Sequence, residues 1–443
     1  MTKRWMITNT TIVTMNEQNP ILKNAHLGVE GDTIAWIDSS IPETWAEDAS
    51  IYRINASDRV ILPGLVNTHG HAAMSLLRGY SDDVSLQVWL EEKMWPIENA
   101  WGAEDIRWGT WLSILEMVRG GTTTFVDMYS FMDEVAAAVE KSGMRACLTR
   151  GVIGLCPPDI QTEKLNEARQ FAKDWHGKAN GRITTMMAPH APYTCPPDYI
   201  SRIVDVAHEL NLPIHTHLAE TKREVESHIA QYGKRPVAHL DELGVFARPT
   251  LVAHAVHVTD EEIALFARKN VHVSHNPGSN LKLASGIAPI PSMLKAGVRV
   301  SLGTDSAASN NNLDQFEEMR LAALLHKGVS GDPTAVPAWA ALKMGTIEGA
   351  RSIWLNDVGM LKAGMKADFI SLDANRAHFQ PQADWISHII YSGNAADVCD
   401  VWINGETIMR NRDLRTIDEE RIRFEVNRLM LRFQPLAASP VLL

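Results

Sequence analysis

Two kinds of hydrophobic pattern divide the chain. Near its start, residues 11–15, 26–30 and 33–38 are short β-branched runs, the last two turning at Gly31-Asp32, a pair suited to a tight hairpin. Similar runs return late, at 368–372 and 398–404, with a second turn at Asn404-Gly405 before 407–409. Between the two sets the pattern becomes apolar strand, loop and long helix, repeated. Strands are predicted at 60–67, 122–127, 146–153, 184–189, 213–218, 250–254, 271–275 and 298–303, separated by helical periodicity such as that at 103–119, 132–142, 197–210 and 260–268. Repeats of this kind predict an α/β chain built on a (β/α)8 TIM-type barrel, with its chemistry at the C-terminal ends of the strands. The expected organisation is discontinuous. Residues 1–57 and 358–443 build a small β-sandwich with a C-terminal helix and tail, and residues 58–357 form the barrel.

Composition narrows the class. With 45% hydrophobic and 21% charged residues over 443 positions, the chain is that of a globular protein with a large core. A net charge of −11 without long Lys/Arg runs disfavours nucleic acid or an anionic membrane as partner. Cys147, Cys156, Cys195 and Cys399 are widely spaced with no CxxC pair, so neither a disulfide framework nor a thiolate metal site is expected. Polar residues interrupt the opening MTKRWMITNTTIVTMNEQ, which argues against a signal peptide, and no apolar run is long enough to span a bilayer. A cytoplasmic location is expected.

The strand ends carry unusual residues: His69, His71, Arg150, His190, His217 with Glu220, His254 and Asp305. In VILPGLVNTHGH the alternation of an extended strand points His69 and His71 the same way. Two neutral imidazoles converging on one spot suit a zinc-class cation. In PIHTHL, His215 and His217 also share a face; His217 is nearer the strand's end and is expected to reach the metal, with His215 one layer deeper. Asp305, after the strand VRVSLG, can add an anionic oxygen. Three histidines and one carboxylate leave a position open for water, the mark of a catalytic site.

This ordered set resembles the amidohydrolase superfamily over nearly the whole chain. LPGLVNTHGHAAMSLLRG, MAPHAPYTC, IHTHLAE, VAHAVHV, SHNPGSNLKLASG and LGTDSAASNN are similar to its aminohydrolase branch, and VGMLKAGMKADFISLD to the family's return into the β domain. Trp95-Pro96-Ile97-Glu98 and Leu148-Thr149-Arg150-Gly151 draw the likeness towards the 5-methylthioadenosine/S-adenosylhomocysteine deaminases. The resemblance implies one divalent metal per chain, zinc, on His69, His71, His217 and Asp305. It implies substrate contacts from Glu98, Arg150, His190, Glu220 and Asp305, a small-molecule nucleoside as substrate and a homo-oligomeric assembly. In such a site Asp305 takes the proton of the attacking water, Glu220 carries protons to the ring and the leaving ammonia, and His254 hydrogen-bonds the developing charge.

One metal rather than two is expected, because no lysine occurs between Lys178 and Lys222 to bridge a pair, and the fourth strand's end offers His190 instead. Trp89, Met94, Trp95 and Trp101 can wall an adenine or alkylthio pocket, or simply pack helices. His257, His272 and His275 are expected to be structural. Some family members carry a second arginine a dozen residues after the one matching Arg150. Here that region reads Ile160-Gln161-Thr162-Glu163-Lys164, which makes S-adenosylhomocysteine a less secure substrate than methylthioadenosine. The alternatives are a guanine- or pterin-type deaminase or a triazine chlorohydrolase on the same site, against which Glu98 argues by suiting vicinal ribose hydroxyls. A non-enzymatic scaffold is a further alternative, but such proteins usually lose ligands, and none of the four is missing.

Overall fold

A computed structural model describes residues 3–432. The expected tail at 433–443 lies outside the described residues. The chain is α/β, with three sheets among the described residues. The first has nine strands, in the order Asp413–Leu414, Glu406–Arg410, Val398–Ile403, Phe369–Asp373, Arg59–Pro63, Arg4–Val13, Ile21–Glu30 and Thr33–Asp38, with Tyr52–Asn55 beside Arg4–Val13. Both chain ends therefore contribute to it. The hairpin at Gly31 forms as expected, with Glu30 opposite Thr33 and Gly31 at φ 62°.

The other two sheets are entirely parallel. One runs Ala188–Pro189, Arg145–Val152, Thr122–Tyr129, Leu65–Asn67, with Ile183–Thr185 beside Arg145–Val152; the other runs Ile214–Leu218, Thr250–His254, His272–His275, Val300–Leu302. Their edges meet twice. Met187 pairs with the strand at 214, its N–H bonding Pro213 O and its carbonyl accepting from His215 N, both at 2.9 Å, while Thr68 N donates to Leu302 O at 2.9 Å. Long helices such as Ala103–Arg119, Pro158–Trp175 and Gln315–Ser330 connect the strands and bury apolar faces against them.

The strand expected at 60–67 is two strands. Gly64 N donates to Asp368 O in the nine-stranded sheet, and the next amide, Leu65 N, donates to Gly121 O in a parallel one. A Cβ at Gly64 would lie 2.1 Å from Thr123 Oγ1, so only glycine lets the backbone pass here. The change of sheet thus falls at Gly64, later than the expected boundary after residue 57. A buried bidentate pair spans the same seam: Arg145 Nε and Nη2 reach Asp368 Oδ2 and Oδ1 at 2.7 and 3.1 Å. Residues expected at 184–189 form two short strands, Ile183–Thr185 and Ala188–Pro189. Among the described residues no helix is long and apolar enough to cross a membrane.

Candidate metal centre and active site

His69 and His71 lie just beyond the strand Leu65–Asn67 rather than in it. What aims them is a clamp between loops. Asn67 Nδ2 donates to Thr304 Oγ1 at 2.7 Å, Thr304 N returns to Asn67 Oδ1 at 3.0 Å, and Asp305 N donates to His69 O at 3.0 Å. His217 stands inside the strand Ile214–Leu218, and His254 ends Thr250–His254 at φ 75°, a left-handed conformation costly for a histidine. Asp305, also left-handed at φ 59°, follows the strand Val300–Leu302.

The hydrogen bonds on the far side of each ring fix where its lone pair points. His71 Nδ1 lies 2.7 Å from Met128 O and His217 Nδ1 lies 2.6 Å from His190 O. Facing carbonyls, both Nδ1 atoms must carry the hydrogen and donate it, leaving both Nε2 atoms bare. Yet these two Nε2 atoms face each other at 3.3 Å. His215 Nδ1 donates to Leu251 O at 3.0 Å, so His215 Nε2 is an acceptor and takes the hydrogen of His69 Nδ1 at 2.9 Å. His69 Nε2 is therefore also bare, and it is buried without a hydrogen-bond partner. Asp305 Oδ1 completes the group, 3.5 Å from His69 Nε2 and 3.3 Å from His71 Nε2. Three lone pairs and an anionic oxygen converge with no proton among them, and a divalent cation is what such a set fits.

Charge states agree. Burial holds the His69 and His217 rings well below the ordinary histidine value, hence neutral, as metal binding needs. Asp305 is held ionised, its carboxyl well below the ordinary carboxylate range although burial alone would raise it. Its other oxygen, Oδ2, accepts from Ser279 Oγ at 2.7 Å and Ser309 Oγ at 2.8 Å. His254 Nδ1 meets Asn280 Oδ1 at 2.8 Å, which turns Nε2 towards Glu220 Oε2 at 3.8 Å. Burial raises the Glu220 carboxyl, and although burial lowers His254, the nearby Glu220 and Asp305 charges raise it more. A carboxyl so raised holds its proton more readily than an exposed one, which suits a group that gives and takes a proton.

His71, His217, Glu220, His254 and Asp305 form part of the wall of one cavity of about 270 Å³, whose lining also includes Glu98, Arg150 and His190, while His69 is fully buried beside it in the cluster. Every site residue expected from the sequence is thus at the cluster or in this cavity. His190 is held neutral, pushed down to about 3 by burial, with Nδ1 on Thr194 Oγ1 at 3.0 Å. Arg150 is partly occupied, its Nε lying 2.9 Å from Glu167 Oε1. Trp89, Trp95 and Trp101 line the cavity, whereas Met94 is buried in the core beside it. His257, His272 and His275 lie outside the lining; His257 and His272 bond the carbonyls of Ser285 and Ser352, and His275 faces His326.

Among the lining residues that escaped sequence reasoning are Tyr129, Lys164 and Tyr193. Tyr129 hydroxyl donates to Glu98 Oε1, and it ends a strand that runs two residues further than expected. The alternation of 122–129 was the signal that could have found it. Lys164 sits on the helix Pro158–Trp175, where nothing local marks it.

An amidohydrolase family model matches residues 60–408. The 5-methylthioadenosine/S-adenosylhomocysteine deaminase of Pelotomaculum thermopropionicum is 48% identical, covering 96% of this chain and 98% of its own length. The enzyme of the same name from Halalkalibacterium halodurans is also 48% identical, over 95% and 97%. Among solved structures, a zinc-bound adenosine deaminase from Xanthomonas campestris superposes with a TM-score of 0.91 at 34% identity, covering 97% of this chain and 98% of that one. A zinc complex of atrazine chlorohydrolase from Arthrobacter aurescens shares the fold at 24% identity and a TM-score of 0.89, over 96% and 99%.

Proposed function

Since this chain belongs to the amidohydrolase family, we propose that its cavity is the active site of a hydrolytic deaminase for 5′-modified adenosines, methylthioadenosine and S-adenosylhomocysteine foremost. We read the eight parallel strand positions as one (β/α)8 barrel, a reading supported by the edge bonds of Met187 and Thr68, with the nine-stranded sheet as a small domain built from both chain ends. The observation that carries the function is the convergence of three bare imidazole nitrogens and Asp305 beside the Glu220–His254 pair, in a cavity that also holds Glu98.

His69, His71, His217 and Asp305 would hold one zinc ion per chain. That ion supplies Lewis acidity, which lets water attack at neutral pH. The remaining chemistry belongs to the chain. Asp305 accepts the proton of the attacking water. Glu220 protonates a ring nitrogen as the new C–O bond forms at C6. It then takes the proton of the new C6 hydroxyl and passes it to the departing amine as the C=O forms and the C–N bond breaks, and the proton held by Asp305 restores Glu220, releasing ammonia and the inosine analogue. His254 hydrogen-bonds the charge that develops on oxygen, and His190, neutral, contacts the base. Glu98, oriented by Tyr129, accepts the ribose hydroxyls. The tryptophans keep water from the base.

At the 5′ end, Arg150 and Lys164 both line the cavity. The lysine offers the second cation that the missing arginine had put in doubt, which supports S-adenosylhomocysteine as a substrate alongside methylthioadenosine.

Ammonia release should be measured with methylthioadenosine, S-adenosylhomocysteine, adenosine, adenine, guanine and atrazine. The two modified nucleosides should lead. A charge-assisted bond to a hydroxyl contributes about 1.5–3 kcal/mol, so Glu98→Ala should lower kcat/KM for nucleosides roughly 10–200-fold and leave adenine's slow turnover unchanged. Faster turnover of a free base or of atrazine than of every nucleoside would overturn the nucleoside reading and leave the sister hydrolases in its place.

A further inference from the structure

Two helices open on the same four-residue pattern, Thr221-Lys222-Arg223-Glu224 before Lys222–Tyr232 and Thr259-Asp260-Glu261-Glu262 before Asp260–Lys269. A Thr-x-x-Glu start is the signature of a capping box, in which the glutamate reaches back to the backbone N–H of the capping threonine. The second helix obeys. Thr259 N donates to Glu262 Oε2 at 2.9 Å and Glu262 N to Thr259 Oγ1 at 3.3 Å, and Arg235 pairs with the same carboxylate from the outside.

In the first helix only half of the box forms. Glu224 N donates to Thr221 Oγ1 at 3.1 Å, but the Glu224 carboxylate passes the cap amide by. It accepts instead from the two preceding amides, Ala219 N at 2.9 Å and Glu220 N at 2.8 Å, one to each oxygen. Glu224 is buried, and among the described residues no lysine or arginine forms an ion pair with it. Ala219 is left-handed at φ 50°, a conformation alanine rarely takes unaided, and its carbonyl accepts from His257 N at 2.9 Å on the other side. The peptide that leads into Glu220 is thus gripped from both sides, by a side chain that is itself absent from the cavity lining.

We infer that Glu224 is a positioning residue for Glu220: its two-point hold on the Ala219 and Glu220 amides aims the Glu220 carboxylate into the cavity beside His254. This rests on the reading of Glu220 as the proton carrier. A cap that only stabilised its helix would have bonded Thr221 N, as Glu262 bonds Thr259 N. Glu224→Gln can accept from one amide only and turns an NH2 towards the other, so the peptide is released at one point.

The test is a double-mutant cycle with Glu220→Gln, Glu224→Gln and the pair, recording kcat, KM, metal content and melting temperature. Glu220→Gln should lower kcat about 10²–10⁴-fold with metal retained. A misplacement of about 1 Å can cost about 10²-fold, so Glu224→Gln should lower kcat about 10–100-fold, with KM moving less than about threefold and metal content near that of the wild type. In the Glu220→Gln background the same change should alter kcat less than about twofold, because the group it positions is already inert. Glu224→Asp, which keeps the charge but is too short to span both amides, should reproduce the pattern if the glutamine variant folds poorly. Equal losses in both backgrounds, a loss that tracks metal, or an unchanged kcat would overturn the inference. A Glu220→Gln enzyme with near-normal kcat would overturn the underlying reading of Glu220, and this inference with it.

Discussion

Histidines crowd together on the outer helices and again at the strand ends, and of these two groups the second is the one built for a metal. On the outer helices, His228 Nε2 and His239 Nδ1 lie 2.9 Å apart with Tyr232 packed on both rings. One nitrogen donates and the other accepts, so two neutral rings satisfy each other. At the strand ends, His71 Nε2 and His217 Nε2 are 3.3 Å apart, hardly further. There both hydrogens are already committed to the carbonyls of Met128 and His190. The difference is not in the distance but in the far nitrogen. Where that nitrogen meets a carbonyl, or a ring that itself donates to one as His215 does for His69, the near lone pair is left facing the cluster, and a cation is what pairs it.

That comparison can be broken in three ways, in order of expected effect. His217→Ala removes a lone pair from the converging set. Metal content should fall well below one equivalent and turnover should drop by more than the roughly 10–100-fold typical when an outer partner is lost. Elemental analysis and a kinetic assay check it, and a variant retaining full metal and rate would contradict the ligand assignment.

Next, His215→Phe leaves every proposed ligand in place but gives His69 Nδ1–H nothing to donate to. Metal affinity should weaken about 10–100-fold, measured by competition with a chelator. An unchanged affinity would mean that the tautomer of His69 is set by something other than His215.

The smallest effect belongs to the satisfied pair. His228→Asn should leave metal content and kcat unaltered, because neither member of this pair lines the cavity. It should instead change how stability depends on pH. Burial, with the facing His239, pushes His228 down to about 4 from its ordinary 6.5. As pH falls below about 6.5 the unfolded chain takes up this proton first, so the native state loses stability progressively until about pH 4. Urea unfolding between pH 7.5 and 4.5 should show a shallower decline in the variant. An identical decline would show that His228 stays as easily protonated in the folded protein as in the unfolded chain.

Much of the site's address was legible in the chain itself. Period-two alternation placed His215 and His217 on one face, and in the structure His215 does sit a layer deeper, against His69. Strand ends in the repeating middle region carried the polar residues that meet at the cavity. Local patterns suffice there because a strand's alternation is a property of its own backbone. The same logic misjudged 60–67, whose apolar run is continuous although its two halves hydrogen-bond different sheets across Gly64.

Tertiary structure alone decided the rest. Which imidazole nitrogen holds the hydrogen depends on carbonyls from other strands, such as Met128 O for His71 and Leu251 O for His215. Lys164 reaches the cavity from a helix face that carries no local mark of it, and Arg150 shares its charge with Glu167 on the same helix. The clearest case is the pair of Thr-x-x-Glu starts, alike in sequence, where one glutamate closes its own helix and the other holds the amide of Glu220. A hydrogen bond goes to whichever donor lies within about 3 Å. That choice is made by how the backbone before the helix turns, and the left-handed Ala219 that turns it is held by contacts from beyond its own segment.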